Sequence, residues 1–199
     1  MGFDEILSMG PAPKRTAALA AWLQGLYPEG ADLPVLVGGA AVELYTGGAY
    51  VTGDLDFVGA VPPSVRRRLL RAGFRKEGRH WLHEQGQIFL EFPGRSLDNG
   101  SKPAILKTGR LEILIIGPEA LLVDRIRSLV FWRHRQDGLN AVSLAWAQRR
   151  ALSPAEVRRL ARETEVRKAF EGLWNLVRRS GSKAPKAADI GLWIEENVS

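Results

Sequence analysis

Val35-Leu36-Val37-Gly38-Gly39-Ala40-Ala41-Val42-Glu43-Leu44-Tyr45-Thr46-Gly47-Gly48-Ala49-Tyr50-Val51-Thr52-Gly53-Asp54-Leu55-Asp56-Phe57-Val58 is the stretch on which the fold turns. Its apolar start reads as a buried strand, and a Gly-Gly turn follows. The next apolar-periodic segment reads as a short helix, which a second glycine pair breaks. The chain then becomes extended again. Side chains alternate along a strand, so Asp54 and Asp56 share one face while Leu55 and Phe57 enter a core. Two like charges about 7 Å apart on one strand repel unless a positive group lies between them, and a divalent metal is the usual answer.

The surrounding chain supports one α/β domain with a helical continuation. It has 199 residues, 45% of them hydrophobic, enough for a packed core. Hydrophobic runs are too short to span a bilayer, so no membrane association is expected. Met1 to Lys14 carries Asp4 and Glu5 and no signal pattern, and the chain has no cysteine, so a cytoplasmic protein is expected. The absence of cysteine also excludes disulfides, thiolate metal sites and a cysteine nucleophile. The net charge of +6 suits nucleotides, nucleic acid or an acidic partner.

Met1 to Ser8 reads as a short helix or arm, punctuated by Pro11 and Pro13. Lys14 to Leu26 reads as an amphipathic helix. Ser64 to Ala72 predicts a helix opened by Pro62-Pro63 and stopped by Gly73. Phe74 to Glu77, His80 to Glu84 and Gln87 to Phe92 read as strands joined by hairpin turns. Pro93 to Lys107 reads as a long loop, and Arg110 to Ile116 as a strand. Helices are expected from Pro118 to Val130 and from His134 to Arg149. Ser153 and Glu156 read as a capping box opening one long helix to Arg179. A linker, Ser180 to Ala188, precedes a last, lightly held helix to Asn197. The expected division is an α/β core over residues 1–117 and a helical region over 118–199.

Gly38-Gly39 after a strand, followed by Asp54-Leu55-Asp56, resembles the nucleotidyltransferase superfamily, whose archetype is DNA polymerase beta. The fuller string, Gly-Gly-x-Ala-x-Glu-Leu-Tyr through Thr-x-Asp-Leu-Asp, is most similar to the bacterial branch that includes abortive-infection toxins of toxin–antitoxin pairs. The resemblance implies an α/β (α+β) fold: a mixed sheet flanked by helices, with a C-terminal helical region. It implies transfer of a nucleoside monophosphate from an NTP to a hydroxyl of a tRNA, a protein or a small molecule. A partner antitoxin would follow. Asp54, Asp56 and a third carboxylate would be catalytic and would bind Mg2+, or Mn2+ in its place. Gly38, Gly39, Thr52 and Arg125 would bind the nucleotide. By residue type alone, Thr52 and Thr46 serve turns rather than catalysis.

Glu91, the single charge in Ile88-Phe89-Leu90-Glu91-Phe92, is the preferred third carboxylate, and Glu112 is the other candidate. Many relatives have serine at the position of Gly39, and toxin-type relatives often have a basic residue where this chain has Tyr50. Asp137 is a candidate to orient Arg125 or Arg133 by a salt bridge. A catalytically degenerate relative that binds nucleotide, RNA or a protein is the alternative. The oligomeric state is not legible.

Other features carry less. His80 and His83 fall on opposite faces of a strand and make a poor metal pair. The basic run from Arg66 to Arg79 could guide nucleic acid. Tryptophans at helical spacing with leucines are expected in the core, and Trp193 is a candidate docking anchor for another chain.

Overall fold

The structure is a computed structural model that describes residues 2–10, 12–98 and 100–198. Met1, Pro11, Asn99 and Ser199 lie outside the described residues, and with them the ends of the expected N-terminal arm and part of the expected 93–107 loop. The chain divides into two compact units, Met1–Ile116 and Gly117–Ser199.

In chain order the first unit carries α1 (Phe3–Leu7), α2 (Pro13–Gln24), β1 (Val35–Val37), α3 (Gly38–Thr46), β2 (Asp54–Val58) and α4 (Pro63–Arg71). There follow β3 (Arg75–Glu77), β4 (His80–His83), β5 (Ile88–Gly94), β6 (Pro103–Thr108) and β7 (Leu111–Ile116). Among the described residues these strands form one seven-stranded mixed sheet in the order β3-β4-β5-β2-β1-β7-β6. β1 runs antiparallel to β2 and parallel to β7, and β2 runs parallel to β5. One face of the sheet is apolar: Leu36, Leu55, Phe57, Trp81, Ile88, Leu90, Ile113 and Ile115 are all buried. Alternation therefore leaves the side chains of Asp54, Asp56, Phe89 and Glu91 on the other face. Gln24 ties α2 to the sheet: its Nε2 donates to the carbonyls of Pro34 and Leu114, and its Oε1 accepts from the Leu114 amide.

The expected loop from Pro93 to Lys107 is corrected. β5 runs on to Gly94, and Pro103 to Thr108 forms strand β6, paired antiparallel with β7. Gly109, at φ 58°, makes the tight two-residue turn between them. β6 is an edge strand whose Ile105 is exposed, so it lacks the apolar alternation that marks a strand in sequence. Its proline stands at the first position, where a ladder tolerates it.

The second unit contains α5 (Pro118–Trp132), α6 (Arg135–Gln148), α7 (Pro154–Leu160), α8 (Thr164–Arg179) and α9 (Ala187–Val198). The expected single helix from Ser153 to Arg179 is two helices. Neither glycine nor proline marks the break at Ala161-Arg162-Glu163; a tertiary contact holds it. Glu163 caps the start of α8 with extended backbone, and its carboxylate accepts two bonds of 3.1 Å from the guanidinium of Arg127 on α5. Arg167 adds a bond to the Ala161 carbonyl. The capping box is only half formed. Ser153 Oγ accepts from the Glu156 amide, but Glu119 takes the Ser153 amide and Glu156 pairs with Arg159.

The helix α9 is not lightly held. Trp193 and Ile194 are buried, and the indole N–H of Trp193 donates to the Ala169 carbonyl at 3.0 Å. Trp193 is thus an internal anchor rather than one for another chain. Trp132, by contrast, is 60% exposed at the end of α5, against the expectation of a core position.

Hydrogen bonding from Arg127, with a smaller opposing effect of burial, holds the Glu163 carboxyl below its ordinary value of 4.5. A depressed folded-state value stabilises the fold above the unfolded value, and this stabilisation is lost as pH falls through the folded one. Glu163→Gln should therefore be less stable than the parent at pH 7. Urea unfolding from pH 7 to 3 should show the two converging below pH 4.5.

Candidate active site

The site is built where β1 ends and α3 begins. Val37 is extended and has no side-chain oxygen to cap the helix, and Gly38 opens α3 at φ 67°. That angle suits glycine, and the space demands it: a Cβ on Gly38 would lie 2.1 Å from Asp56 Oδ2. The Asp56 carboxylate thus rests against the backbone of the turn. A Cβ on Gly39 would come within 3.1 Å of the Tyr50 ring and 3.5 Å of Thr52 Oγ1. Gly39 and Tyr50, the two departures from the resembled motif, are complementary: the ring fills space that a serine side chain would need.

The segment that brings Thr52 there is fixed from below. Glu43, on α3, is fully buried. One of its carboxylate oxygens accepts from Thr16 Oγ1 at 3.0 Å, and the other accepts from the Thr52 amide at 3.2 Å. Thr52 Oγ1 in turn accepts from the Asp54 amide at 3.2 Å, so Thr52 serves the turn into β2. Glu43 was missed as a positioning residue. Its signal was present: a lone acid inside Ala40-Ala41-Val42-Glu43-Leu44 must be buried with partners.

The parallel pairing of β2 with β5 places Asp54 beside Phe89 and Asp56 beside Glu91. Paired strands lie about 5 Å apart, so Asp54, Asp56 and Glu91 form a triangle on one face. Glu112 does not join it. It lies on β7, which β1 separates from β2, and it pairs with Lys107. In this structure Arg79 Nε reaches Glu91 Oε1 at 2.7 Å, and His80 Nδ1 lies 3.6 Å from the other oxygen. His80 and His83 do fall on opposite faces; His83 is buried and its Nδ1 accepts from the Gly86 amide.

Arg125 belongs to the second unit. Its guanidinium donates to Asp137 at 2.6 Å and to Asp124 at 2.5 Å. Burial works against its charge, but the two carboxylates outweigh that and raise its pKa. Asp137 therefore orients Arg125, as one of the two expectations had it, and also accepts from Ser128 Oγ.

Among the described residues no three His, Asp or Glu side chains converge on a single metal position. The donor set still fits magnesium. That ion takes oxygen ligands and is usually held by one or two carboxylates, the rest of its shell being water and substrate phosphate. Asp54 and Asp56 would supply that pair.

No family model matches the chain, and no curated protein matches it. A solved structure does: an antigenic nucleotidyltransferase-like protein from Paracoccidioides brasiliensis, 16% identical, covering 96% of this chain and 97% of its own, with a TM-score of 0.61. The fold is nucleotidyltransferase-like. At this identity the likeness concerns the fold, and it bears out the mixed α/β sheet expected from Gly38-Gly39 and Asp54-Leu55-Asp56. Among the described residues no helix is long and apolar enough to cross a membrane.

Replacing Glu43 by Ala should leave the Thr52 amide and the Thr16 hydroxyl without their buried acceptor, at a cost of about 1–3 kcal/mol. Urea unfolding would measure this. Limited proteolysis should show faster cleavage between Gly47 and Gly53.

Proposed function

We propose that the chain is a magnesium-dependent nucleotidyltransferase that moves a nucleoside monophosphate from an NTP to a hydroxyl. One observation carries this reading: Asp56 lies against Gly38 on one side and has Glu91 as its strand partner on the other. The backbone proposed to meet the phosphates, the aspartates proposed to hold the metal and the third carboxylate are thereby neighbours. The bound cation would neutralise phosphate charge and polarise the reacting oxygens. Asp54 and Asp56 would hold it. Gly38 and Gly39 bring no side chain of their own to the start of α3, where the Asp56 carboxylate and the Tyr50 ring pack, and backbone N–H groups with the helix dipole would favour phosphate there. Glu91, once it leaves Arg79, would accept the proton of the attacking hydroxyl.

The second reading, a nucleotide-binding protein without turnover, is favoured by the engagement of Glu91 with Arg79. Both readings require the aspartates for Mg2+-dependent NTP binding. Calorimetric titration of ATP, GTP, CTP and UTP should show one or more binding with Mg2+ and losing about tenfold or more in affinity in Asp54→Asn/Asp56→Asn. Binding indifferent to both aspartates would sink both readings. Glu91→Gln separates them: it should keep nucleotide binding and lose transfer of label from an α-labelled NTP into cell extract.

A further inference from the structure

Within the second unit, α8 and α9 enclose a groove of 670 Å³, in the range of small-molecule sites. One face of each helix lines it. Gly172, Asn175, Leu176 and Arg179 come from α8, and Asp189, Leu192, Trp193 and Glu196 from α9, both at the spacing of a single helical stripe. A Cβ on Gly172 would lie 3.3 Å from the Trp193 ring. The helices therefore touch about two turns from the connection between them and run back along each other. That connection closes one end of the groove and adds Lys183 and Lys186 to the lining. It is well fixed. The Ser180 amide donates to the Leu176 carbonyl at 3.2 Å, the Lys183 amide to Ser180 at 3.1 Å and the Ile190 amide to Lys186 at 3.0 Å, and Pro185 is buried.

Charge is unevenly spread along this groove. Arg179, Lys183 and Lys186 gather at the connection, with Asp189 as the acid at that end. Glu196 lies two helical turns further along α9, about 10 Å away. Among the described residues none of the three cations forms an ion pair or a side-chain hydrogen bond. Arg125, Arg127, Arg135, Arg158 and Arg159 of the same unit are all paired with carboxylates. Between its charged ends the groove is aliphatic. Leu192 is 63% exposed and Leu176 half-buried, whereas Trp193 is buried and its N–H is bonded to Ala169, so no aromatic face is offered.

We infer that this groove binds a small aliphatic phosphate monoester, with its head at the connection and its chain along Leu176 and Leu192. Three cations against one carboxylate leave a charge of about +2 at that end, and a phosphate monoester carries about −2 at pH 7. The cations stand on a connection already held by its own hydrogen bonds, so little ordering opposes binding of the head. The chain removes the exposed side of Leu192 from water. Glu196 opposes a second anionic group at the far end, which favours a monoester over a nucleic-acid strand.

Titration of the full chain with octyl phosphate below its micelle concentration, octan-1-ol and inorganic phosphate tests head and chain separately. Amide and indole NMR signals report both the affinity and the place. Octyl phosphate should bind about tenfold or more tightly than either control and should shift the Trp193 indole N–H and the Lys183 and Lys186 amides. Lys183→Ala/Lys186→Ala should weaken octyl phosphate by about tenfold, the order of two exposed ion pairs, and leave octanol unchanged. Leu192→Ser should weaken both octyl compounds and leave inorganic phosphate unchanged. All three substituted side chains are exposed, so the fold should persist. Equal affinity for octanol or for inorganic phosphate, shifts confined to other parts of the chain, indifference to the lysines or to Leu192, or no binding of octyl phosphate would overturn the inference.

Discussion

The Asp56 carboxylate occupies the place a side chain at residue 38 would need. That contact constrains the chain on both sides. Residue 38 must be glycine, both for its positive φ and for the missing Cβ. β2 must pair with β1 in the register that sets Val37 opposite Asp56, which brings the carboxylate to the end of β1, where α3 starts. The eight residues from Thr46 to Gly53 must return the chain through a compact path, and buried Glu43 fixes that path by accepting from the Thr52 amide. A buried acid of this kind is tolerable only because both its oxygens are bonded, one to α2 and one to the returning segment.

The third carboxylate depends on a different constraint. β2 and β5 are parallel and adjacent, although α4, β3 and β4 lie between them in sequence. Burial of Leu55, Phe57, Ile88 and Leu90 on one face decides the register, since a slip by one residue would turn the apolar sets outward and the carboxylates inward. Hydrophobic sorting, with no contribution from charge attraction, thus suffices to put Asp56 and Glu91 side by side. Mutual repulsion of the two carboxylates is the cost of that arrangement, and Arg79 offsets part of it.

This explains what could be read from sequence. Asp54, Asp56 and Glu91 were legible because each sits in a short segment whose apolar alternation states its face directly. The choice of Glu91 over Glu112 followed from strand order, which the resemblance implied and the pairing supports. Strand β6 was not legible, because an edge strand with an exposed isoleucine carries no alternation to read. The break between α7 and α8 escaped because its cause, the Arg127–Glu163 clasp, lies 36 residues away along the chain and leaves no glycine or proline behind. Trp193 was misjudged for the same reason: its partner, the Ala169 carbonyl, belongs to another helix.

The carboxylates of the site are held with unequal firmness, and the difference has a chemical consequence. The Asp56 carboxylate lies against the backbone of the glycine turn. Glu91, itself only 22% exposed, is turned toward Arg79, which is 69% exposed, so the pair is open to solvent mainly on its arginine side. A cation held by Asp54 and Asp56 would compete with that arginine for Glu91, the strand partner of Asp56. Under the nucleotidyl-transfer reading, Glu91 would thus answer charge at the site by exchanging one cationic partner for another while the fold stays unchanged. Glu91, the proposed proton acceptor, is thereby a residue whose partner can change while its strand register, fixed by buried Ile88 and Leu90, does not.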